Sequence, residues 1–177
     1  MRIVPLILAA VTVPALWPAE AAAERSPQVG AGSSVVRYRS DLVPDGAAAR
    51  AVTASASGTL TTLSVRGLLP GREYGAHVHT KPCGAAPTDS GPHYQHVADP
   101  AQPSTDPASA NPRNEIWLDF TTSPSGNGFA VSHVNWTYGD RRPGSVVIHE
   151  THTHTDPGHA GTAGGRLACL NLQFEPR

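Results

Sequence analysis

The sequence predicts an all-β domain, an antiparallel sandwich or barrel, and three observations carry that reading. Eight short segments have β character, with Val, Ile, Thr and aromatic residues in runs bounded by turn residues. None of the chain has a convincing helical period. Glycine and proline number 17 each, a composition that suits short strands joined by many turns.

Along the chain the first element is not part of the fold. Arg2 precedes an apolar run from Ile3 to Trp17, and Ala19-Glu20-Ala21 or Ala21-Ala22-Ala23 offers small residues for cleavage. Residues 1–23 therefore read as an export signal, because the apolar run of about 15 residues is short for a bilayer span of roughly 20. Residues 24–33, small and polar, are expected to be a flexible mature N-terminus, with the folded domain over 34–177. The predicted strands are Val35–Leu42, Ala51–Ser57, Thr59–Leu68, Arg72–His79, Glu115–Thr121, Gly128–Trp136, Ser145–His149 and Arg166–Phe174. Pro70-Gly71 turns the chain before the fourth. Ser123-Pro124-Ser125-Gly126-Asn127-Gly128 makes a hairpin between the fifth and sixth. Two stretches resist strand assignment. Thr80–Asn114 carries seven prolines, and Glu150–Gly165 is rich in Thr, His and Gly. Loops this long in a compact domain carry function or are disordered.

The 13 basic and 14 acidic residues nearly cancel, and no basic cluster exceeds Arg141-Arg142. Nucleic acid and polybasic membrane binding are excluded as readings, and the mature chain is expected to carry no integral membrane domain. The only cysteines are Cys83 and Cys169. In an exported chain such a pair reads as one disulfide. Whether the destination is periplasm, cell wall or medium is left open, as is the oligomeric state.

Histidines carry the chemistry. His77 and His79 flank Val78, so a strand would point both imidazoles to one side. His93 follows Gly91-Pro92, and His149 ends Val146-Val147-Ile148-His149. A nitrogen-rich shell assembled from such segments suits copper better than calcium or magnesium. The tract Thr151–Ala160 adds His152, His154 and His159, which could hold a second metal or help capture copper. Histidine-rich loops also bind metals weakly without any role. His133 reads as a packed or surface residue.

These motifs resemble those of the copper/zinc superoxide dismutase family. Gly75-Ala76-His77-Val78-His79, Cys83, Gly91-Pro92-His93-Tyr94, Val146-Val147-Ile148-His149-Glu150 and Ala163-Gly164-Gly165-Arg166-Leu167-Ala168-Cys169 occur in the family's order. The resemblance implies an eight-stranded Greek-key barrel and copper ligation by His77, His79, His93 and His149. It makes His93 the bridging and proton-carrying histidine and Arg166 the residue that guides a small anion. It also implies a Cys83–Cys169 disulfide, and superoxide as substrate. The expected activity is superoxide dismutation; the alternative is an exported copper-binding or buffering protein on the same fold.

The chain departs from the family at the zinc site. No histidine occurs between His96 and His133, whereas structural zinc takes four N, O or S ligands. His93 with His96 and Asp99 would make only a makeshift site, so the chain resembles the copper-only branch and zinc is expected to be absent. Something else must then hold the second nitrogen of His93. Glu115, where the family's zinc-binding aspartate would fall, is the candidate, against the plainer reading of an exposed carboxylate at a strand start.

Overall fold

The computed structural model describes residues 28–176, and the export segment expected at 1–23 lies outside them. Among the described residues the chain forms eleven strands: β1 Gln28–Gly32, β2 Val35–Arg37, β3 Ala48–Ser55, β4 Thr59–Arg66, β5 Glu73–Tyr74, β6 Ala76–His79, β7 Phe120–Thr121, β8 Gly128–Val134, β9 Ser145–His149, β10 Arg166–Asn171 and β11 Gln173–Phe174. All pair antiparallel, in a five-stranded sheet β11-β1-β3-β4-β8, a four-stranded sheet β2-β10-β9-β6 and a ribbon β5-β7. Among the described residues the one short helix is the 3-10 turn Pro87–Ser90.

Alternation decides the inner face. On β3 and β4 every second residue is buried, and Ala51, Leu63 and Val65 point to the core. From the four-stranded sheet Ala76, Val78, Val146, Ile148, Leu167 and Leu170 meet them, and Tyr74 stacks on Phe120 at 5.3 Å. Two sheets facing each other over a shared apolar layer satisfy both at once.

β1 corrects the sequence reading. Gln28–Gly32 was expected within a loose terminus, yet it is laddered to β3 and β11. Its pairing is a backbone matter and needs no apolar pattern. The small residues are what permit it: a side chain at Gly30 would meet the Phe174 ring at 2.8 Å, and one at Gly32 the Asn171 carbonyl. The segment expected as a strand over Val35–Leu42 stops at Arg37. There a turn takes over, with the Leu42 and Val43 amides both donating to the Arg39 carbonyl.

β6 and β9 are buried on both faces. Their outer face lies under the two long loops, each tied to the sheet. Cys83 is bonded to Cys169 of β10, and the Cys83 amide donates to Asn171 Oδ1 at 2.7 Å. The loop over 150–165 rests on Gly75, between β5 and β6. A side chain there would lie 2.5 Å from the Thr151 carbonyl oxygen and 2.7 Å from the Ala163 methyl.

The disulfide closes a loop with a sequence separation of 86. Replacing both cysteines by serine is expected to cost about 4–5 kcal/mol as an upper figure from chain entropy, read as a lower midpoint in urea unfolding.

Candidate metal centre

β6 supplies two of the four histidines. His77 and His79 point outward, opposite Val147 and Ser145 of β9, and both are fully buried. His149, at the end of β9, shares that face; its amide donates to the Gly75 carbonyl at 2.7 Å. His93 comes from the proline-rich loop. At Gly91 the chain takes φ +71°, a conformation that favours glycine, and then pairs with the free edge of β6. There the Thr80 amide donates to Pro92 O and the Tyr94 amide to Val78 O. The segment 115–118 takes the next stretch of the same edge, through Val78 N to Ile116 O and Leu118 N to Ala76 O. One short strand thus gathers three distant segments.

One ring nitrogen from each of His77, His79, His93 and His149 lies within 4.8 Å of the others. Three of the four rings have a defined orientation. His79 Nδ1–H donates to the Gly91 carbonyl at 2.9 Å, and its Nε2 faces His149 Nε2 at 3.3 Å. His93 Nδ1–H donates to Glu115 Oε2 at 2.8 Å. The Thr153 hydroxyl donates to Asp119 Oδ1 at 2.7 Å, so it must accept from His77 Nε2–H, also at 2.7 Å. That fixes the lone pair on His77 Nδ1, a buried nitrogen with no partner. A buried polar atom left unpaired is costly unless a ligand meets it.

Burial makes protonation unfavourable here. His77 and His79 are held well below the usual histidine range, first by burial and then by the neighbouring imidazoles. His149 is pushed down to about 3 by burial, with His93 and Arg166 adding to the effect. Three imidazoles kept neutral by burial suit a borderline or soft first-row ion. The all-nitrogen set and the orphaned His77 nitrogen fit copper.

Glu115 is buried, 1% exposed, and three donors satisfy it. Besides His93, the Trp117 indole N–H donates to Oε2 at 2.7 Å and the Gln95 amide to Oε1 at 2.8 Å. His96 and Asp99 are not gathered with His93. His96 stacks on Trp136 at 5.0 Å, and Asp99 binds Ser104 and the Ala101 amide.

Arg166 pairs with His149 across the β9–β10 ladder, and the register shifts between Arg166 and Ala168. Such a bulge re-aims a side chain. Its Nη1 donates to the Pro87 carbonyl and to Ser90 Oγ, each at 2.9 Å. With His93, Glu115, His149 and Ser104 it lines a cavity of about 170 Å³ that opens to solvent. Burial holds its pKa below the usual value, which for arginine still leaves the charge in place at neutral pH.

Sequence reasoning missed Asp119, Thr153, Trp117 and Gln95. Asp119 also accepts from the Thr153 and Ala76 amides, so it joins the 150–165 loop to the ligand strand. No sequence signal marks these residues; each is an ordinary polar or aromatic side chain until the strands pair.

No protein-family profile and no curated protein matches the chain. Solved structures do. A double mutant of a SOD-like protein from Bacillus subtilis aligns with 82% of this chain and 95% of its own, at 16% identity and TM-score 0.53. The Cu/Zn superoxide dismutase from Brucella abortus aligns over 80% and 99%, at 19% identity and TM-score 0.54. The clock protein EA4 aligns over 82% and 92%, at 19% identity and TM-score 0.55. The described residues have the β-barrel fold of the Cu/Zn superoxide dismutases.

Proposed function

We propose that this chain is an exported superoxide dismutase that works at one copper ion held by His77, His79, His93 and His149. The observation that carries the reading is the cluster itself: four imidazoles from three segments, three of them oriented by specific partners, with a cation at the cavity wall. Bound there, copper would supply a one-electron couple that takes an electron from one superoxide and gives it to a second, yielding dioxygen and, with two protons, hydrogen peroxide.

The chain's own residues do the rest. Arg166, pinned by Pro87 and Ser90, presents a fixed positive charge to a small anion entering beside His93 and His149. His93 is the least enclosed of the four, with 17% of its side chain exposed. It borders the cavity and can take up and return a proton at Nε2 while Glu115 keeps hold of Nδ1. A ring so anchored keeps its tautomer and position between turnovers. The Thr153–Asp119 pair does the same for His77 and orders the loop that covers it.

The same contact supports a mononuclear site. The nitrogen of His93 that would face a second metal is already bonded to Glu115. The Cys83–Cys169 disulfide suits an oxidising compartment. Among the described residues no helix is long and apolar enough to cross a membrane.

Metal analysis of purified protein offered copper and zinc together, with a dismutation assay, tests the proposal. One copper retained per chain after a chelator wash, no zinc retained with it, and loss of both that copper and activity in His149→Ala are expected. Retained copper without turnover would make it a binding protein, and zinc retained one to one beside the copper would refute the mononuclear site. Glu115→Ala and Thr153→Val should each weaken copper binding by about 10–100-fold, measured by chelator competition. Arg166→Gln should lower the dismutation rate and flatten its dependence on ionic strength, with copper content unchanged.

A further inference from the structure

The loop over 150–165 carries histidines that the buried cluster does not use. His152 is tied down, its Nε2 donating to the Phe120 carbonyl at 3.1 Å. His154 and His159 instead stand exposed to solvent. Both turn toward Asp156, which lies between them: His159 Nδ1 is 2.7 Å from Oδ2, and His154 Nδ1 is 3.7 Å from Oδ1. The two rings are 6.4 Å apart. We propose that His154, Asp156 and His159 form a second, solvent-facing site for a divalent first-row transition ion, with copper(II) as the ion to test.

The donor set points to that class. Two imidazole nitrogens and one carboxylate oxygen suit copper, zinc or nickel, whereas calcium and magnesium take mostly oxygen. The two imidazoles approach opposite oxygens of the Asp156 carboxylate, at 2.7 and 3.7 Å, so three donors stand around one short stretch of loop. The remaining coordination positions would face water, since all three side chains are more than half exposed.

The backbone beneath the three residues is ordered. The His154 amide donates to Thr162 O and the Gly161 amide to His154 O. The Thr162 amide donates to His159 O, and the Gly158 amide to Thr105 O across the neighbouring loop. Gly158 and Gly161 take φ +83° and +80°, which lets the loop fold back tightly enough to bring His159 beside His154. Thr162 and Gly161 also line the cavity that holds His93, His149 and Arg166. The loop that carries the site therefore also forms part of that cavity's rim.

Copper(II) titration of the full mature chain, followed by calorimetry and electron paramagnetic resonance, tests the inference. Two ions per chain with distinct spectra are expected. The second should vanish in the His154→Ala/His159→Ala double variant and weaken at least tenfold in Asp156→Asn, while the first spectrum stays unchanged. A wild-type chain that takes up a single ion, or a second ion that persists in the double variant, overturns the site. Repeating the titration in His77→Ala/His149→Ala separates the two proposals. There the rim ion should remain and be lost on adding the His154 and His159 substitutions, whatever the buried cluster binds.

Discussion

Burial of β6 on both faces is the constraint on which the structure depends. Its inner residues, Ala76 and Val78, enter the core, and the sandwich follows from that. Its outer residues, His77 and His79, are polar, and enclosing them without partners would cost several kcal/mol. The two long loops supply the partners. They bring the Gly91 carbonyl to His79 and the Thr153 hydroxyl to His77. Loops and cluster are thus one problem solved together: the histidines need cover, and the cover is held partly by the histidines.

Glu115 belongs to the same logic. A buried carboxylate is tolerated when its lone pairs are all occupied, and here three donors from the loop and the adjacent strand-like segment occupy them. Removing it would leave His93, Trp117 and Gln95 with unanswered N–H groups, a penalty beyond the loss of any single bond. The residue therefore couples ring orientation at the cluster to the folding of the proline-rich loop. On the opposite side Asp119 does equivalent work, joining Thr153, Ala76 and, through the hydroxyl, His77.

Much of this was legible residue by residue. His77 and His79 declare their shared face through period-2 spacing, and the Val-Val-Ile run before His149 declares a strand. The turn residues at Pro70-Gly71 and over 123–128 mark where strands end. Other features left no such trace. Gln28–Gly32 looks like a loose tail because its glycines and alanine carry no pattern, and only pairing with β3 and β11 makes it a strand. Asp119 and Thr153 are 34 residues apart and have no local reason to be linked.

What the sequence determined by itself was the fold class and the four histidines with the arginine and the cysteine pair, while Glu115 stood out only through the family resemblance. Side-chain alternation, turn chemistry and motif order are local properties, and they survive without coordinates. What only the tertiary structure decided was which nitrogen of His77, His79 and His93 faces inward, what holds the other, and that Asp156 lies between His154 and His159. Those depend on which edge of β6 each segment pairs with and on how the 150–165 loop folds back. Both are set by long-range packing rather than by any neighbour in the chain.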